Sequence, residues 1–133
     1  METFKNLNEF FDEVLGELSC NPETKAYIIG LFCKYKLADL DLSKDNITLM
    51  FAQAKFNQDF FIYQNLADWL FFAKSLHPEH LHRASEDYYH NIGRLSYYSC
   101  YKLINKQWKL YDELSESFIP LSKQVRTLLI KNI

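Results

Sequence analysis

Phe60-Phe61-Ile62-Tyr63-Gln64-Asn65-Leu66-Ala67-Asp68-Trp69-Leu70-Phe71-Phe72-Ala73 sets the terms for the whole chain. Wound as a helix, this stretch carries apolar side chains on nearly every side. Gln64, Asn65 and Asp68 mark a narrow polar side. A helix that is apolar almost all round is buried, either at the centre of its own domain or under another subunit. The three polar residues interrupt it, so it falls short of the ~18 uninterrupted apolar residues of a membrane span. Asn57 is the expected cap, with the helix over 58–76.

Outward from this segment, apolar positions recur at helical spacing and no sustained strand-like alternation appears. Toward the N-terminus the pattern predicts a helix over 4–18, with Phe4, Leu7, Phe11, Val14, Leu15 and Leu18 on one face. Asn21-Pro22-Glu23 predicts the start of a second helix over 22–37. Asn can accept from a free backbone N–H, Pro tolerates the first helical position, and Glu suits the positive end of the helix dipole. A connection at 38–42 and a Ser43 cap lead into a third helix over 44–56.

Toward the C-terminus, His77-Pro78-Glu79 reads as another helix start. Gly93, Cys100, Ile104, Tyr111 and Phe118 then keep phase at steps of four and seven, with Tyr97 and Leu103 alongside. The pattern predicts a long helix over about 79–117. Unbroken it would reach roughly 60 Å at ~1.5 Å per residue, so a break near Asn105 is expected. A final helix over 119–131 follows Pro120. The expectation is one all-α domain over 1–133, a bundle of five to seven helices.

Composition agrees with a folded helical chain. It is 48% hydrophobic and 17% aromatic, with 3 Gly and 3 Pro, which excludes disordered and turn-rich all-β classes. The net charge of −2 gives no global pull toward nucleic acid. Six basic residues spread over the last third are interleaved with Asp112, Glu113 and Glu116, so no clustered basic face forms. Cys20, Cys33 and Cys100 are odd in number, widely spaced and without a CxxC pair, as expected of reduced thiols in a cytoplasmic protein. The opening Met1-Glu2-Thr3-Phe4-Lys5-Asn6 shows no basic stretch followed by an apolar run.

Two constellations could carry chemistry. On a helix beginning at Pro78, Glu79, His82, Glu86 and His90 share one face. Imidazole and carboxylate are ligands for Zn, Fe or Mn, and Glu79-x-x-His82 has the form used in di-metal helical bundles. The plainer reading is a solvated stripe. The second constellation is Gly93, Ser96, Tyr97 and Cys100, small residues and a tyrosine on one helix. Close packing accounts for them, and a small apolar-ligand site is the alternative. Glycine-rich phosphate loops, GxSxG and HExxH are absent from the sequence.

The expected function is therefore a non-catalytic protein-interaction module, with a protein partner or a second copy of itself, no nucleic acid and no resident cofactor. Phe61, Ile62, Trp69 and Phe72 on the apolar helix are the expected interface. A metal-dependent bundle and an apolar-ligand binder are the alternatives.

Overall fold

A computed structural model describes residues 6–34, 44–78, 81 and 84–132. Among them the chain forms seven helices and no strands: α1 (Leu7–Leu15), α2 (Pro22–Lys34), α3 (Lys44–Asn57), α4 (Phe60–Leu76), α5 (Glu86–Leu103), α6 (Lys109–Glu116) and α7 (Phe118–Asn132). The expected end of the second helix at 37, the connection 38–42 and the Ser43 cap lie outside the described residues. Glu79, His80 and His82 do too. No described helix is long and apolar enough to cross a membrane.

The apolar stretch forms α4, and α4 packs against α2, α3, α5 and α7. Leu66, Ala67, Leu70, Phe71, Phe72 and Ala73 are buried along it. The central position expected of a helix apolar on most sides is therefore filled from within one chain. The cap differs from expectation. Asn57 closes α3, Gln58 takes a left-handed φ of 50°, and Asp59 caps α4 by accepting from the backbone N–H groups of Phe61 and Ile62. A carboxylate caps as well as an amide and adds a favourable charge at the positive end of the helix dipole, and here it sits two residues after Asn57.

The long C-terminal helix is shorter at its start and interrupted where expected. Ser85 has extended backbone (φ −66°, ψ 154°), and its hydroxyl accepts from Tyr88 N–H, so α5 begins at Glu86 and not at 79. Glu86 and Asp87 then occupy the first turn, where the dipole favours them. At the far end Asn105 (φ 56°) and Lys106 (φ 61°) are both left-handed and turn the chain into α6. Asparagine tolerates that region, whereas lysine enters it at a cost. Ser117 alone separates α6 from α7. Pro120 sits in the first turn of α7, where its missing N–H has no helical acceptor in any case.

The two ends of the chain are sewn together. α1 packs on α2 and α7, and α2 also packs on α6. Ser19 N–H donates to Gln124 Oε1 at 2.6 Å, and Asn21 N–H donates to Glu113 Oε1 at 3.2 Å. Between these elements lies one aromatic core. Phe32 meets Phe71 and Phe72, Phe71 meets Phe118, and Phe118 meets Tyr97.

Candidate functional site

Asp68 is the most unusual residue of α4. Sequence reading placed it with Gln64 and Asn65 on a wet side, yet only Asn65 is exposed there. Gln64 is half-buried and Asp68 keeps 4% of its surface. Tyr27 of α2 donates to both oxygens of its carboxylate, at 2.8 Å to Oδ1 and 3.0 Å to Oδ2. Tyr97 of α5 donates to Oδ1 at 2.7 Å. Gln64 Nε2, one turn earlier on α4, donates to Tyr111 Oη of α6 at 2.8 Å. The three tyrosine rings stand 5.6 to 6.5 Å apart, two of the pairs edge-on. The cluster thus joins α2, α4, α5 and α6 through polar bonds inside an aromatic cage.

The electrostatics follow from burial. Loss of water raises the Asp68 carboxyl to about 6, against the pull of the two tyrosine hydroxyls and Lys34. Burial, and then the Asp68 charge, holds the Tyr27 and Tyr97 hydroxyls far above their usual range. Burial also pushes Tyr111 up to about 12. Cys100 is buried, its thiol donating to the Phe60 carbonyl at 3.7 Å, and burial raises it beyond any nucleophilic role at neutral pH. All three cysteines are free thiols. The tyrosines and the thiol stay protonated across the ordinary pH range, and Asp68 alone of the cluster changes charge within it.

Above this cluster, α2 and α4 leave a cavity of about 260 Å³ whose lining includes Tyr27, Gly30, Lys34, Gln64 and Asp68. A larger groove of about 470 Å³ runs between α3 and α5 over Tyr63 of α4. Phe51, Tyr63, Leu95 and Leu103 supply its apolar surface. Its charged lining residues are Lys55 and Lys102, both basic. Leu95, half exposed, also belongs to a smaller depression of about 300 Å³ between α5 and α6, where Tyr98, Arg94, Asp112 and Glu116 lie. Thr48 of α3 and Tyr88 of α5 join their hydroxyls across the α3–α5 gap.

The residues singled out in the sequence are distributed differently. The premise of a Glu/His stripe was one unbroken helix from Pro78, and the extended backbone at Ser85 removes it. Glu79 and His82 lie outside the described residues. Glu86 and His90 remain, one helical turn apart. Glu86 pairs with Lys74 at 2.6 Å, and that bond together with the Lys74 charge lowers its carboxyl below the ordinary value. The buried His90 keeps Nε2 at 3.8 Å from Glu86 Oε1, and burial, then the Lys74 charge, favours its neutral form. No group of three or more His, Cys, Asp or Glu converges among the described residues.

At Gly93 the Phe118 ring occupies the space a side chain would take. A Cβ there would stand 2.5 Å from Phe118 Cζ. Ser96, Tyr97 and Cys100 are buried beside it. Of the four expected interface residues, Phe61 is 70% exposed, Ile62 and Trp69 are half-buried, and Phe72 is buried against Phe32. Phe72 belongs to the core because α4 turns that side toward α2. The wall residues Phe51, Leu95 and Leu103 and the acceptor Asp68 were not among the expected site residues. The partners that define them lie on other helices, and no local spacing marks them.

Comparison with protein-family models, with curated proteins and with solved structures gives no match for this chain.

Proposed function

We propose that the protein is a non-catalytic interaction module whose α3–α5 groove receives an amphipathic helical segment of a partner protein, with acidic residues flanking its apolar anchors. The basic, apolar groove carries this reading. A helix laid in a groove uses apolar anchors at i, i+3 or i+4 and i+7, and charge at the rim sets specificity and encounter rate. Phe51, Tyr63, Leu95 and Leu103 offer the apolar floor and walls, and Lys55 and Lys102 select carboxylates over cations. Half-exposed Leu95 and the 40%-exposed Tyr98 extend the apolar surface beyond the groove itself.

Fluorescence anisotropy tests the reading with two labelled helical probe peptides. They share leucine anchors and differ only in carrying glutamate or lysine on their flanks. Saturable binding of the acidic peptide is expected. The basic peptide should bind at least ~tenfold more weakly, about 1.4 kcal/mol. Raising salt should narrow that difference. Leu95→Glu, at a half-exposed position that tolerates charge, should abolish binding without altering the helical circular dichroism. Equal binding of both peptides, or binding that survives Leu95→Glu, overturns the proposal. A dimer in light scattering that Leu95→Glu dissociates would assign the groove to a second copy of the chain and likewise overturn it.

A further inference from the structure

The cavity between α2 and α4 has a chemistry unlike that of the groove. Its floor is the carboxylate of Asp68, nine-tenths buried, which among the described residues receives two hydroxyl donors, Tyr27 and Tyr97. An ionised carboxylate offers about four lone-pair sites, so Oδ2, which takes one 3.0 Å bond, has acceptor capacity to spare. Gln64 adds to this. Its Nε2 donates to Tyr111, and its Oε1 has no partner among the described residues. The Tyr27 hydroxyl proton is spent on Asp68, and its oxygen, already beside the Gln64 amide and the Tyr111 hydroxyl, can act toward a further group only as an acceptor. On the opposite wall Gly30 faces open space, and a Cβ there would meet nothing within 4 Å.

The wall beside Asp68 is thus rich in acceptors, with one negative charge and about 260 Å³ of room. Lys34 apart, that wall offers an anion no charged donor. An ammonium group is the complement, with three donors, one positive charge and no acceptor. We propose that the α2–α4 cavity is a binding site for the ammonium group of a small organic amine, held by the Asp68 carboxylate, Gln64 Oε1 and the Tyr27 hydroxyl oxygen. Lys34 also lines the cavity. Its charge weakens the site for a simple amine and favours one whose other end is a carboxylate, as in a free amino acid.

Binding requires ionised Asp68. Among the described residues the groups facing it are Tyr27 and Lys34 from α2, Tyr97 and Cys100 from α5 and Tyr111 from α6, with Lys34 the one basic side chain. Affinity should therefore rise as pH passes upward through about 6.

The test is a titration of the folded protein, followed by backbone amide NMR shifts, with methylammonium, glycine or potassium chloride at matched ionic strength. The first two are expected to give saturable shifts at Gly30, Gln64 and Asp68. Affinity should be at least ~tenfold weaker at about pH 5 than at about pH 7.5. Asp68→Asn keeps the shape and removes the charge, and Gly30→Leu fills the cavity from an open helix position. Each should abolish the shifts while leaving the rest of the spectrum folded. Glycine binding more tightly than methylammonium, with Lys34→Met reversing the order, would identify an amino acid as the ligand class. Absence of saturable shifts, an equal response to potassium, or binding that survives either variant overturns the proposal.

Discussion

Gly93 and Phe118 meet more closely than any side chain at 93 would allow, and this contact fixes where α7 sits on α5. Phe118 is itself wedged against Phe71, Tyr97 and His90, so its ring has no free direction in which to yield. Gly93→Ala gains ~1 kcal/mol of helix propensity but overpacks the core, which costs roughly 1–3 kcal/mol. Urea unfolding should show a net loss, and pairing the change with Phe118→Leu should recover part of it. A more stable Gly93→Ala single variant would refute the contact. Asp68 yields a second prediction, with a definite sign. Its carboxyl is raised in the folded protein to about 6 from an ordinary value of 3.8, so folding favours the protonated form. That contribution is complete below about pH 4, fades as pH rises through about 6 and then levels off. A shift of about two pH units corresponds to ~3 kcal/mol. Asp68→Asn, whose Oδ1 can still accept from Tyr27 and Tyr97, should gain stability over the wild type as pH rises from about 4.5 to 7.5. Urea midpoints of both proteins at the two pH values measure this, and a variant-minus-wild-type difference that falls toward the higher pH would contradict it.

Helix boundaries show how far local signals reach. Asn21-Pro22-Glu23 opens a helix where its chemistry says it should, and the break after Leu103 falls at the asparagine that the length argument singled out. The expected start of the long helix and the observed one differ. His77-Pro78-Glu79 has proline in the favoured first position, but Ser85-Glu86-Asp87 combines a hydroxyl cap with two acids in the first turn, and α5 begins there. Only the first of these was read as a start in the sequence, and the second also draws on Lys74, which reaches Glu86 from α4. The turn after α5 allows a direct test. Lys106 holds a left-handed φ of 61° without being glycine, which costs ~1–2 kcal/mol. Lys106→Gly should recover up to ~1 kcal/mol after the entropy of the unfolded glycine is set against it, read as a higher thermal midpoint. An unchanged or lower midpoint would mean that the lysine side chain stabilises the turn in some other way.

At the scale of the whole molecule, the sequence was informative in proportion to how local each feature is. A helix apolar on most sides implied a central position, and α4 occupies it. The same stretch did not disclose Asp68 as a buried acceptor, because its donors Tyr27 and Tyr97 stand 41 and 29 residues away. The α3–α5 groove was equally hidden, since residues from three helices build it and no spacing within one helix marks them. The longest-range ties, Ser19 to Gln124 and Asn21 to Glu113, close the bundle by joining the α1–α2 turn to α7 and α6. They also set a timetable for synthesis. As the chain leaves the ribosome, α1 and α2 emerge before the surfaces on α6 and α7 that will cover them. Until α6 and α7 arrive, the sides of α1 and α2 that they will cover stay open to water.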